Sequence, residues 1–194
     1  MELNLIHLLR LTREPAFSSN AASYYVHLPE LAPFGYLHTI FIAPKEETLR
    51  QCADRLRMPE GLRRFFTFQN GADLFFNSLS LFGILEPGRL LSRTNDRIQA
   101  PFDLEDMNRQ HRLPPEGEWI LIGSYGFDGT QLLFHRLTEK IQAVERKHRH
   151  RVSEWADFDT YLQDEIGRLS SLFSEAGKLL VDKKYTVPGS EEIA

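Results

Sequence analysis

The chain has 194 residues, 42% hydrophobic and 26% charged, with a formal net charge of −4. That length and composition suit one soluble core rather than two. The weak acidic balance argues against the dominant basic face that general nucleic-acid binding needs, and a single cysteine, Cys52, excludes an internal disulfide and a thiolate zinc cluster.

The opening residues, MELNLIHLLRLT, are apolar but carry Glu2 and Arg10, and they lack both a basic start and an Ala-x-Ala cleavage pattern. They fail as a signal peptide, and no run approaches the roughly 20 apolar residues of a spanning helix. A cytoplasmic address without a membrane partner is the expectation. Leu3, Leu5, Ile6, Leu8, Leu9 and Leu11 are so dense that helix and buried strand both fit. Pro15 and Ser18-Ser19-Asn20 end that segment. Tyr24 to Leu28 reads as a short strand, Pro33-Phe34-Gly35 as a turn, and Tyr36 to Ala43 as a second strand, forming a hairpin or an edge addition.

From Pro44 the period changes. Leu49, Cys52, Ala53 and Leu56 fall on one helical face, with Glu46 and Glu47 at the positive end of the helix dipole. After Met58-Pro59, a shorter helix over Gly61 to Phe68 points Leu62, Phe65 and Phe66 inward. Asn70-Gly71 is expected to close it in the left-handed conformation. Strands follow at Leu74-Phe75-Phe76 and, after a turn at Asn77-Ser78, at Leu79 to Leu85. Gly83 inside the second marks a bulge or a close backbone approach. The aromatics Phe65, Phe66, Phe68, Phe75, Phe76 and Phe82 read mostly as core.

Residues 86 to 118 form a polar connection with room for a short helix within Asp103 to His111, ended by Pro114-Pro115. Trp119 to Tyr125 is a strong strand, Gly126 to Gly129 a turn, and Gln131 to Leu137 its hairpin partner. Glu139 to His148 reads as one further, exposed strand. A helix carrying Trp155, Phe158, Tyr161, Leu162, Ile166, Leu169 and Phe173 is expected from an Asp157 N-cap to about Gly177. Beyond Asp182 the tail should be loose.

This order of elements resembles the SUKH superfamily, which includes fungal cell-wall-synthesis regulators and bacterial immunity proteins encoded beside polymorphic toxins. The residues that carry the resemblance are Met58-Pro59-Glu60-Gly61-Leu62 with Phe65-Phe66, then Asn70-Gly71, Leu81-Phe82-Gly83, Trp119 to Gly123, and Asp157-Phe158 with Tyr161-Leu162. It covers about two-thirds of the chain, an ordinary domain length. Ala72 stands where a second glycine is common, and residues 1 to 43 have no counterpart. The resemblance implies an α+β domain over residues 44 to 181: a mixed or antiparallel sheet of about six strands with helices packed on it. Residues 1 to 43 are then an N-terminal extension of unclear role, and 182 to 194 a tail.

Candidate chemistry is thin. His148 and His150 could share a strand face and a metal, but Arg146, Lys147, Arg149 and Arg151 surround them, so a solvated turn or strand end is the simpler reading. Ser124, Asp128 and His135 supply the residue types of a triad, yet Gly123-Ser124-Tyr125-Gly126 lacks the strained nucleophile elbow. Gly123 to Gly129 has no phosphate-loop ending. Asp103, Glu105 and Asp106 could do acid–base work or hold a hard cation. In a connecting loop they suit a solvated surface or a protein contact better. The expectation is therefore a non-enzymatic binding protein without cofactor or metal, an immunity protein that occludes a toxin domain through Asp103, Glu105 and Asp106. The alternatives are a regulatory scaffold of the same fold and, behind it, a hydrolase-type enzyme.

Overall fold

In the computed structural model, which describes residues 4–11, 14–32, 35–85, 93–94, 97–98, 100–111 and 118–190, the N-terminal segment is where the sheet begins. Asn4 caps a one-turn helix, α1 (Leu5–Leu8), by accepting from the Ile6 N–H. Strands β1 (Phe17–Ser18), β2 (Ala22–His27) and β3 (Tyr36–Ile42) follow as antiparallel neighbours. The β2–β3 hairpin is then extended by β4 (Gln69–Leu74), so residues 17–42 continue the same sheet as the rest of the chain.

Between β3 and β4 lie α2 (Glu46–Leu56) and α3 (Glu60–Phe66). Helix α2 buries Leu49, Cys52 and Ala53, as its spacing predicts, and Arg57 closes it in a left-handed conformation with φ 48°. Pro59 caps α3, which buries Leu62, Phe65 and Phe66. Asn70-Gly71 does not end this helix, contrary to expectation. Thr67 and Phe68 complete its last turn by bonding back to Arg64 and Phe65, and both residues of the Asn-Gly pair lie inside β4. Gly71 has φ +80°, and a Cβ there would collide with the Leu81 and Phe82 carbonyl oxygens. The glycine therefore lets β4 approach β5 (Leu79–Leu81), and the sharp turn falls later, at Phe75, Phe76 and Asn77, all with positive φ. Gly83 marks a close approach, since a Cβ would strike Asn70 and Pro101. Phe65, Phe66, Phe75 and Phe82 are core; Phe68 and Phe76 are exposed.

The connection contributes a small ribbon, β6 (Arg93–Thr94) with β7 (Arg97–Ile98), and then α4 (Leu104–Gln110). The sheet resumes with β8 (Trp119–Tyr125), β9 (Gln131–His135), β10 (Ile141–Val144) and β11 (Arg151–Trp155), before α5 (Phe158–Leu172). Among the described residues the sheet has nine antiparallel strands in the order β1-β2-β3-β4-β5-β8-β9-β10-β11, not about six. Residues 17–42 account for the difference by adding three strands, and within Glu139 to His148 the strand is only β10, followed by the turn that leads to β11. The alternation stops at Val144, the basic residues Arg146–His148 form the turn, and Trp155 ends β11 rather than opening the helix.

Helix α5 starts at the expected cap, with Asp157 accepting from Thr160 N–H at 2.7 Å. It buries Phe158, Tyr161, Leu162, Ile166 and Leu169 against the sheet, at about 1.5–3 kcal/mol for each large apolar side chain removed from water. Trp155 packs edge-on against Tyr161. The helix ends at Leu172, before Gly177. Residues 182–190 are not loose. The Arg168 guanidinium donates to the Tyr185 and Thr186 carbonyls while paired with buried Glu165, which places Thr186 and Val187 in the interior.

Candidate functional site

The three acidic residues singled out from the sequence gather on the first turn of α4, and each has a local task. Asp103 is the N-cap, its Oδ1 accepting from the N–H groups of Glu105 (2.9 Å) and Asp106 (3.4 Å). Glu105 reaches across to α2, where Arg55 donates to both its oxygens. That guanidinium holds the Glu105 carboxyl below its usual range, and the carboxylate in turn adds to the burial that pushes the Cys52 thiol up. Asp106 pairs with Arg109 at 2.7 Å, and its side chain is half exposed. Of the three, Asp106 offers the most surface. Helix α4 is tied down by Asn108, whose amide donates to the Leu121 carbonyl and accepts from the Leu121 N–H. Asn70 does the same for Ile84, with bonds of 2.8 and 2.6 Å.

The other sequence candidates separate. Asp128 accepts from the Thr130 N–H and hydroxyl within its own turn. Ser124 faces Gln131 across the hairpin, whereas His135 faces Trp119 at the other end, five residues or about 16 Å along β8. His135 accepts from the N–H groups of Leu137 and Thr138. The three groups do not converge. His148 sits in the β10–β11 turn, bonded to Glu145 at 2.9 Å, with the His150 ring 6.0 Å away. Among the described residues no three His, Cys, Asp or Glu side chains gather as metal ligands.

A feature that the sequence did not flag is a groove of about 680 Å³. Its walls come from the turn after α1 (Leu9, Leu11), from β2 and β3 (Val26, Leu37), and from the aromatic pair Phe75 and Phe173, whose ring centroids are 5.3 Å apart. His38 lines it while only 4% exposed. Its Nδ1 accepts from the Phe75 N–H, which assigns the remaining proton of the neutral ring to Nε2, and burial pushes its pKa down to about 4. Burial raises the Tyr25 phenol, and the Glu14 carboxylate nearby adds to the rise against a lowering hydrogen bond from Ser23. Glu14 and Glu175 lie on the groove, both exposed, together with Arg10. A lone histidine in the apolar run YLHTIFIA is the signal that could have drawn attention here.

Comparison with protein-family models and with curated proteins returns no match to this chain. Among the described residues no helix is long and apolar enough to cross a membrane.

Proposed function

We propose that this chain is a non-enzymatic protein-binding domain, a cytoplasmic immunity protein that neutralises a cognate toxin domain by occlusion. The observation that carries this reading is the order of motifs from Pro44 to Phe173 that resembles the SUKH superfamily. The α+β architecture, with helices on one antiparallel sheet, agrees with what that resemblance implies at the coarse level. The separation of Ser124, Asp128 and His135 along the β8–β9 hairpin weighs against the hydrolase alternative.

Inhibition then comes from covering a cationic toxin surface over roughly 800 Å² per partner, the area of a standard stable interface. The first turn of α4 supplies one contact: Asp106 presents its carboxylate outward while Asp103 and Glu105 hold the turn in place. Co-expression with the product of the neighbouring open reading frame is the test. Growth rescue together with co-purification is the expected result. A neighbour that is neither toxic nor bound would overturn the reading.

A further inference from the structure

We infer that the groove between the turn after α1, the β2–β3 hairpin and the end of α5 receives an arginine- or lysine-bearing loop of the protein partner. The cationic head would sit at the rim formed by Glu14 and Glu175. The inference rests on the protein-binding reading above and names a second contact for it, away from α4.

Three observations carry it. The volume, about 680 Å³, lies within the roughly 300–1,000 Å³ of sites that engulf a ligand group. Leu9, Val26, Leu37 and Phe75 give one part of an otherwise polar lining an apolar surface, which suits the methylene stem of a long basic side chain, and the charged residues that line the groove are Arg10, Glu14 and Glu175. There two carboxylates face one guanidinium, Arg10, and among the described residues neither carboxylate has a salt-bridge partner. Among the described residues, a cation arriving there meets an excess of negative charge that no ion pair has cancelled.

His38 selects a loop over a free cation. Its ring lines the groove, and with Nδ1 occupied by the Phe75 N–H the polar atom it can offer a ligand is the Nε2–H donor. A peptide carbonyl satisfies that donor; a bare ammonium does not. Because burial keeps the ring neutral, it adds no positive charge to oppose the incoming side chain. Leu9, Arg10, Leu11, Glu14 and Ala16, like the lining residues of β2 and β3, belong to residues 1–43, the part without a counterpart in the resemblance. A groove built there would give this chain a partner preference of its own.

The test uses the full-length protein and the blocked dipeptide acetyl-Gly-Arg-amide, followed by amide chemical shifts. The expected result is shifts at Leu37, His38 and Phe75, an affinity about tenfold weaker for the Glu14→Gln/Glu175→Gln double variant, and tighter binding for Arg10→Gln. Acetyl-Gly-norleucine-amide should produce no such shifts. Shifts elsewhere, or binding indifferent to the double variant while its melting curve matches wild type, would overturn the inference. If the neighbouring gene product binds, the double variant should weaken that complex by a similar factor, and unchanged affinity would remove the groove but leave the immunity reading standing. If that product does not bind, the immunity reading fails and the dipeptide result alone decides the groove.

Discussion

The seam around α4 and the groove beside α1 are both polar, and they use their polar groups in opposite ways. At the seam, Asn70, Asn108 and Asp103 bond to backbone that no neighbouring strand or helix turn satisfies: Ile84, Leu121 and the first N–H groups of α4. Glu105 and Asp106 are paired with arginines. In the groove, Glu14 and Glu175 are left facing solvent and His38 keeps one donor for something outside the fold. Acidic composition therefore does not mark a contact surface by itself. What matters is whether the fold has already consumed the charge, and by that measure the groove has more left to offer than the seam.

Substitution can sharpen this contrast, and the largest effect is expected at Asn70. Asn70→Ala strands two buried groups of Ile84, each costing about 1–3 kcal/mol, so chemical denaturation should show a loss of about 3 kcal/mol or more. If Asn70→Ala unfolds at the wild-type midpoint, the claim that the seam is structural fails.

The next effect is a pH dependence from the groove. Burial puts the folded pKa of His38, about 4, below the 6.5 of a free imidazole, so the unfolded chain takes up a proton first as pH falls. Its contribution is complete above about pH 6.5 and declines toward pH 4, by about 3 kcal/mol in all. Arg10, Glu14, Glu175 and Tyr25 share the groove with the ring, and buried Glu165, raised mainly by desolvation, works in the opposite direction. The His38 part is isolated by comparing urea midpoints of wild type and His38→Leu at pH 7 and pH 4.5. The variant should show the flatter profile, and parallel profiles would contradict the assignment.

Smaller still is Asp103→Ala, which removes an N-cap and should cost about 1 kcal/mol in thermal unfolding. The smallest stability change belongs to the residues proposed to bind. Glu14→Gln with Glu175→Gln should stay within about 0.5 kcal/mol of wild type while partner affinity falls. A stability loss like that of Asp103→Ala would erase the distinction between the two regions.

Local features with a strong period were legible without coordinates. Leu49, Cys52, Ala53 and Leu56 specify one face of α2, and the spacing from Phe158 to Leu169 specifies α5 together with its Asp157 cap. WILIGSY forms β8 over the expected residues. Each of these depends on side chains within a turn or two of one another, so the pattern is complete in the local sequence.

The features that failed to read are those in which a residue's partner lies far along the chain. Asn70-Gly71 looks like a helix stop because both residue types accept left-handed backbone, but its role is set by Leu81 at the end of β5 and by Ile84 just beyond it. Glu139 to His148 reads as one long strand, and pairing with β9 and β11 confines that strand to Ile141–Val144. Arg168 is held by Glu165 and by the carbonyls of Tyr185 and Thr186, and the two carbonyls come from a segment that the helical pattern does not include. The groove is the extreme case, with Glu14, His38, Phe75 and Glu175 drawn from four separate segments. The sequence by itself determined the periodic helices α2 and α5 and the stronger strands, because periodicity and capping are short-range, and the α+β class was what the resemblance implied. The nine-strand sheet seen among the described residues, the docked tail and the choice of which charges stay open were decided only by the tertiary structure, because burial and hydrogen-bond satisfaction are settled between segments far apart in the chain.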